Sequence, residues 1–382
     1  MLTFLSRCKL VSVSIALQFI IYSAFAQTAK LESVFQDNTY QITGVAVSQN
    51  GRVFVTYPYW TDVYRYALAE VGKDGSVKPY PNADYNTWRE GQPVTPNHWI
   101  CVQSAFVDTK DRLWVVDAAS PKQNGVVGGA HRLVCFNLAT NQVEKVYPMQ
   151  GIVGSDSYLN DIRVDTDHDV AYVTESRKGG IIVLDIKSGK ARLVLKDDKS
   201  VKADPAYKFI IDGRELRDNL GPVRFQSDGL ALTPDNNYLY YKPLSDNKLY
   251  RIKTDYLRDE SLSAPALAAH VEDLGQVAST DGMIVDANGN LYMGDDQAYT
   301  LYQLPGASVD NRPTLNKRVL LTDKNQLIWP DSYAINGDYL YLTTSQIQHM
   351  AKHNKNKSRF IFTGKQYGLV IKVINFYDFK LS

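Results

Sequence analysis

Six polar residues carry the chemistry that this sequence could perform. Thr43, Gln103, Asn160, Asp228, Asp281 and Asp331 each stand at the head of a short run of alternating apolar residues, and three of the six are carboxylates. Brought to one level around a common axis, they would form a ring of oxygen donors. Such a ring suits a hard cation such as Ca²⁺, which takes six to eight oxygens, a cationic amine, or a ligand bearing hydroxyl groups. Carboxylates held this close raise one another's pKa, and a bound cation relieves the strain. Asp161 and Asp296 are further acidic candidates, although Asp161 falls where the repeats put Gly and is expected on the other face. A scaffolding role is the alternative, because Asp-Gly is also a turn dipeptide and polar groups at strand starts can satisfy loop amides.

The elements that position these residues repeat along the chain. The segments are TGVAVSQNGRVFVTYP, QSAFVDTKDRLWVVDA, NDIRVDTDHDVAYVTES, DGLALTPDNNYLYYKP, DGMIVDANGNLYMGDD and DSYAINGDYLYLTTS, starting 50 to 68 residues apart. Each reads as an alternating strand, a turn and a second, aromatic-rich strand. Turns such as Gln49-Asn50-Gly51, Asp235-Asn236-Asn237, Ala287-Asn288-Gly289 and Asn336-Gly337-Asp338 have the Asn/Gly/Asp chemistry of tight hairpins. Third and fourth strands follow most pairs, as in Gly179 to Lys196 and Asn247 to Leu257. Six such units predict an all-β fold, a six-bladed β-propeller of four-stranded antiparallel blades, in which each sheet buries both faces against its neighbours. Two β-sandwiches would not repeat one hairpin signature six times. The stretches Pro79 to Pro96 and Val201 to Val223 are expected to form loops on one rim. The expected organisation is a signal peptide over residues 1–26 and one propeller domain over 27–382.

Residues 1–26 read as an address. Arg7 and Lys9 precede the apolar stretch Leu10 to Ile21, and Ala24-Phe25-Ala26 gives a small-x-small cleavage pattern. Secretion, to an extracellular or periplasmic space, is the expectation, with no membrane attachment after cleavage. Lys and Arg number 42 against 41 Asp and Glu, a net charge of +1 that supplies no electrostatic case for a nucleic-acid partner. A monomer is expected. Cys101 and Cys135 survive cleavage, but they fall on the first and third strands of one meander. Two strand spacings of about 9–10 Å exceed the roughly 7 Å that a disulfide tolerates, so both are read as buried thiols.

Other site types fail inspection. The sequence has no G-x-S-x-G elbow, H-E-x-x-H helix, Walker A loop, G-x-G-x-x-G turn or C-x-x-C pair, so no organic cofactor is expected. His131 and His349 follow apparent strands and are read as surface histidines, and His168 as a solvated turn residue. The basic run Lys352 to Arg359 is expected to be an exposed loop.

The phrases GRVFVTYPYW, VKPYPNADYNTW and DRLWVVDA, followed in order by LYYKPLSDNKLYRI, STDGMIVDANGNLYMGDDQ and LIWPDSYAINGDYLYLTTSQIQ, resemble the major royal jelly protein/yellow family. The resemblance covers Val34 to about Gln348 and implies a six-bladed propeller, related more distantly to gluconolactonase-type propellers with a divalent cation in the channel. On that likeness the substrate-side Asn matches Asn160, while metal-binding positions match Asp228 and Asp281. The blade-one glutamate is replaced by Thr43. Where the family has a cysteine before RLWVVD, this chain has Asp108-Thr109-Lys110-Asp111, which suggests a bacterial-type member. The resemblance implies several functions: dopachrome isomerisation, binding of biogenic amines, or a nutritive role.

Two expectations follow. One is a binding protein taking a small molecule of amine, catechol or indole type at the channel mouth, with rim aromatics stacking on it and the carboxylates holding its polar groups. The other is a cation-dependent lactonase-like hydrolase or a dopachrome-type isomerase, with Ca²⁺ or another divalent cation on Asp228, Asp281 and Asn160. A purely structural secreted protein is the third reading.

Overall fold

The computed structural model describes residues 30–306 and 313–354, together with the backbone of 369–375. The signal-peptide expectation for residues 1–26, and most of the basic run after Lys352, lie outside the described residues.

Six four-stranded antiparallel sheets form the body. Blade one holds Val45–Val47, Val53–Thr56, Leu68–Val71 and Val77–Pro79, and blade two Val102–Val107, Arg112–Asp117, Arg132–Asn137 and Gln142–Pro148. Blade three is Leu159–Asp165, Val170–Glu175, Gly180–Asp185 and Ala191–Val194. Blade four is Ser227–Leu232, Tyr238–Pro243, Lys248–Lys253 and Glu272–Gln276, and blade five Met283–Val285, Leu291–Asp295, Thr300–Leu304 and Arg318–Thr322. Blade six combines Pro330–Asn336, Tyr339–Thr344 and Leu369–Asn375 with Glu32–Asp37, which pairs antiparallel along Leu369–Asn375 and closes the ring. The first strand of every blade contacts the first strand of the next, and that of blade six returns to blade one. The six-bladed propeller expected from the repeats is therefore the fold.

The hairpins form as their chemistry dictates. Asn236 takes a positive φ in its turn, as do Asp111 and Asp169 where the sequence supplies no Gly. At the head of several turns a carboxylate replaces the missing backbone acceptors. Asp108 accepts from the amides of Lys110 and Arg112, and Asp286 from those of Asn288 and Asn290. One expected strand is cut short. Asp255 to Leu257 belong to the helical turn Thr254–Arg258, with Asp255 at its start and Arg258 at its end, the charge order that the helix dipole favours.

Apolar wedges between blades hold the disc together. Phe54, Trp99, Val115 and Phe136 pack between blades one and two. Tyr172, Ile181, Leu230, Leu239 and Tyr241 pack between three and four, and Ala231, Tyr240, Met283 and Met293 between four and five. Each Val, Leu, Ile, Phe or Met among them contributes about 1.5–3 kcal/mol on burial. Cys101 and Cys135 are free and buried in blade two, and burial pushes both thiols up to about 12. His131 corrects the surface reading: it is buried, with a desolvated imidazole held below its ordinary pKa. His349 is half-buried and likewise lowered. His168 is half-exposed, its Nδ1 2.7 Å from Asp165 Oδ2.

Candidate functional site at one mouth of the channel

The six signature residues are located by their own backbone. In four blades the pairing of the innermost strand slips at the signature: between Val102 and Ser104, Leu159 and Ile162, Ser227 and Leu230, and Pro330 and Tyr333. Bulges of this kind re-aim side chains. Each signature carbonyl is then met by the preceding blade. Thr343 Oγ1 donates to Thr43 O at 2.5 Å, Thr56 Oγ1 to Gln103 O at 2.8 Å, Ser104 Oγ to Asn160 O at 2.5 Å and Thr174 Oγ1 to Asp228 O at 2.6 Å. The Gly282 amide donates to Asp331 O at 2.7 Å, and Gly229 lies directly against Asp281 O. A Cβ at either glycine would collide with that carbonyl, so the Asp-Gly pairs here serve close approach between blades, not turns. The relay runs once around the ring and fixes all six residues at one level.

Their side chains diverge in role. A cavity of about 510 Å³ opens at this mouth, with Gln103, Asn160, Asp228 and Asp281 among its lining. Thr43 is not brought to it, because its hydroxyl lies 3.2 Å from Thr56 Oγ1 and donates to Gln103 O at 3.1 Å, in the seam between blades. Asp331 is buried among the neighbouring acids and is not part of the lining. Gln103 is oriented by a chain in which Trp60 Nε1 donates to Tyr158 OH at 2.7 Å and Tyr158 OH donates to Gln103 Oε1 at 2.7 Å.

The carboxyls share one electrostatic problem. Burial raises Asp281 to about 7, and its Oδ2 accepts from Trp329 Nε1 at 2.6 Å. Burial, then repulsion from Asp281, holds Asp228 well above the ordinary carboxylate range. The two carboxyls act directly on each other, so charging one disfavours charging the other. Asp331 and Asp296 are raised in the same way, by burial first and the Asp281 charge second. Asp161, expected to face elsewhere, is raised by burial to about 6 and adds to the repulsion at Asp228, Asp281 and Asp331. Asp228 Oδ1, Asp331 Oδ2 and both Asp296 oxygens have no hydrogen-bond partner among the described residues.

Sequence reasoning passed over several members. Lys242 is fully buried on the second strand of blade four, where its Nζ donates to Pro243 O at 2.6 Å and Asp246 O at 2.9 Å. Burial lowers it to about 8, while Asp246, Asp296, Asp228 and Asp281 oppose the fall. A lysine among the aromatics of YLYYKP was the signal. Trp329 takes φ 59°, a left-handed backbone rare for so bulky a residue, as it presents its indole to Asp281. The stretch 201–223, expected as a rim loop, forms two small hairpins. The second supplies Asp218, Asn219 and Leu220 to the cavity wall. Arg177, Arg224 and Lys352 ring the opening, hydrogen-bonded to neutral oxygens of Gln123, Val223 and Pro205.

For a divalent cation the donor set is sparse. Asp228, with its unpartnered oxygen, Asp281 and Asn160 are the available donors, and Thr43 is not. No set of three His, Cys, Asp or Glu side chains placed for a metal occurs among the described residues.

The fold and site together define a six-bladed propeller with a buried acidic cluster under a ligand-sized cavity at one mouth. Residues 100–372, more than half of the chain, match the major royal jelly protein family, and the chain belongs to it. Major royal jelly protein 1 of Apis mellifera is 23% identical over 245 residues, covering 59% of this chain and 52% of its own. Protein yellow of Drosophila guanche is 24% identical over 258 residues, covering 62% and 44%. The chain spans about half the length of the relatives it matches. Among solved structures, a gluconolactonase from Xanthomonas campestris aligns with a TM-score of 0.52 at 12% identity, over 92% of this chain and 93% of that one. Regucalcin from Agrobacterium tumefaciens, a calcium-binding protein, aligns at 0.51 and 12% identity, over 90% and 95%. At such identities the likeness is one of fold.

Proposed function

We propose that the channel mouth binds a small aromatic molecule carrying an amine, of catechol, phenol or indole type. The observation that carries this reading is the unpartnered Asp228 carboxylate oxygen at the floor of a 510 Å³ cavity walled by Trp60, Tyr158 and Phe225. An ammonium group offers the donors and the positive charge that the raised carboxyls lack, and the aromatic walls stack on the ring. Arg177, Arg224 and Lys352 at the opening would hold an anionic substituent on the outward end, which favours an amino acid over the bare amine. Export by the N-terminal segment would place this binding outside the cytoplasm.

Binding of the amine ionises the Asp228–Asp281 pair and releases a proton. Calorimetry with tyramine, dopamine and tryptamine in buffers of different ionisation enthalpy reads both affinity and proton release. Saturable 1:1 binding, weakened about tenfold or more by Asp228→Asn, is expected. Absence of binding by all three amines, or binding indifferent to Asp228→Asn, sinks the reading.

A second reading rests on the same orphaned oxygen. Asp228, Asp281 and Asn160 would hold Ca²⁺ or another divalent cation, which would supply polarisation of a bound carbonyl. In that case Asp331 or Asp161 holds the proton to be moved, as an isomerase or lactonase requires. A rise in melting temperature with Ca²⁺ in the wild type, lost in Asp281→Asn, distinguishes this reading from the first.

A further inference from the structure

A second cavity, of about 500 Å³, lies at the opposite end of the channel. Four residues along each innermost strand, about 13 Å from the signature level, the same six blades contribute Val47, Val107, Val164, Leu232, Val285 and Ile335. These are apolar side chains, and all but Val47 and Val164 are partly accessible. At the base of this funnel stands one cation, Arg163, which is more than nine-tenths buried.

Arg163 crosses the channel. From blade three its Nη2 donates to Met283 O of blade five at 2.6 Å, its Nη1 donates to Ile162 O at 2.7 Å, and the guanidinium lies 5.1 Å from the centre of the Phe106 ring. Its Nε has no partner among the described residues. Asp161, on the acidic side, acts on it only through space, and burial lowers its pKa. A guanidinium this desolvated, bonded only to neutral carbonyls, lacks the directly bonded carboxylate that buried arginines normally have.

We propose that this funnel is a second binding site, for an aliphatic carboxylate, whose head group pairs with Arg163 and whose chain lies against Val107, Leu232, Val285 and Ile335. The volume falls in the usual range for small-ligand pockets, and the lining has the usual make-up, mostly apolar with one placed charge. The charge order along the channel supports the assignment. Acids crowd the mouth, Arg163 bounds them, and the apolar funnel lies beyond. Asp167, the carboxylate at the funnel lip, is turned to the side chain of Asn236 at 2.9 Å. This site is independent of the reading of the mouth.

The test uses the folded protein with sodium octanoate, 1-octanol and octylamine as probes. Calorimetry is expected to show saturable octanoate binding at least about tenfold tighter than that of either neutral or cationic analogue. Tyramine should not compete. Arg163→Met should abolish the preference for octanoate over 1-octanol. Should that variant fail to fold, Leu232→Glu, at a partly exposed position, supplies the test by weakening octanoate binding through obstruction and repulsion. Equal affinity for octanoate and 1-octanol, competition by tyramine, absence of saturable binding, or octanoate binding unchanged in folded Arg163→Met or Leu232→Glu would each overturn the proposal.

Discussion

The two ends of the channel are built from the same six strands and differ in almost every physical respect. At the mouth, bulges break the alternation of the innermost strands, and the polar residues beside them are buried, with carboxyls raised above their ordinary pKa. Four residues on, the alternation is intact and the wall is Val, Leu and Ile around a single arginine. The lesson is that a propeller makes clustered polar sites by interrupting its strands, and makes apolar walls by leaving them regular.

The largest effect should come from a change that damages both ends at once. Gly229→Ala places a methyl against the Asp281 carbonyl and breaks the blade-four to blade-five step of the relay. A loss of about 2–4 kcal/mol in urea unfolding is expected, typical of overpacking and backbone strain. A loss below 0.5 kcal/mol would show that the relay does not set the level of the ring.

Next in size is a change confined to the mouth. Asp228→Ala should abolish amine binding while leaving octanoate binding at the far end within about twofold, since sites more than about 10 Å apart are nearly additive. Loss of both responses would merge the two ends into one site.

The pH dependence sharpens the contrast further. Asp161 and Asp281 have folded pKa values of about 6 and about 7 against an ordinary 3.8. The native state therefore binds more protons than the unfolded chain between those limits. Their stabilisation is fully present below 3.8 and is lost as pH rises through 6 and 7. The ligand-free protein should melt at least about 3 °C lower at pH 8 than at pH 5, and Asp281→Asn should flatten that slope. Amine affinity should run the other way and rise with pH, because binding ionises the pair. A melting temperature that climbs from pH 5 to 8 would refute the proton-holding cluster.

The smallest effect concerns the rim. Arg224→Ala should narrow the preference for tyrosine over tyramine by about two- to fourfold and reduce its salt dependence, as expected of a partly exposed charge.

Most of the fold could be read from the residues, because its signals are local and repeat. Asn236 or Asp111 in a short turn, and an alternating strand on each side, mean the same thing six times over. The level of the ring was legible too, since Asp228, Asp281 and Asp331 open equivalent strands. The division of labour within it was not. Thr43 and Asp228 look alike in the alignment of repeats, yet one hydroxyl is consumed by Thr56 and the neighbouring carbonyl while the other side chain keeps an unpartnered oxygen. Asp161 was expected on the other face because the repeats put Gly there; it is absent from the lining of the mouth and acts on the acids through space. Arg163 was invisible for a different reason: a charge within an alternating strand reads as solvent-facing, and only the closed ring leaves it no solvent to face.

The strand Glu32–Asp37 completes a blade whose other three strands come from the far end of the chain. Order of synthesis and order of assembly therefore diverge. Blades one to five can gather as they emerge, but the sixth waits for the last segment, with an early strand held in reserve until then. Both cavities depend on that final zippering, for neither has a complete wall in an open horseshoe. A cell that makes this protein obtains both cavities together, at the moment the circle shuts.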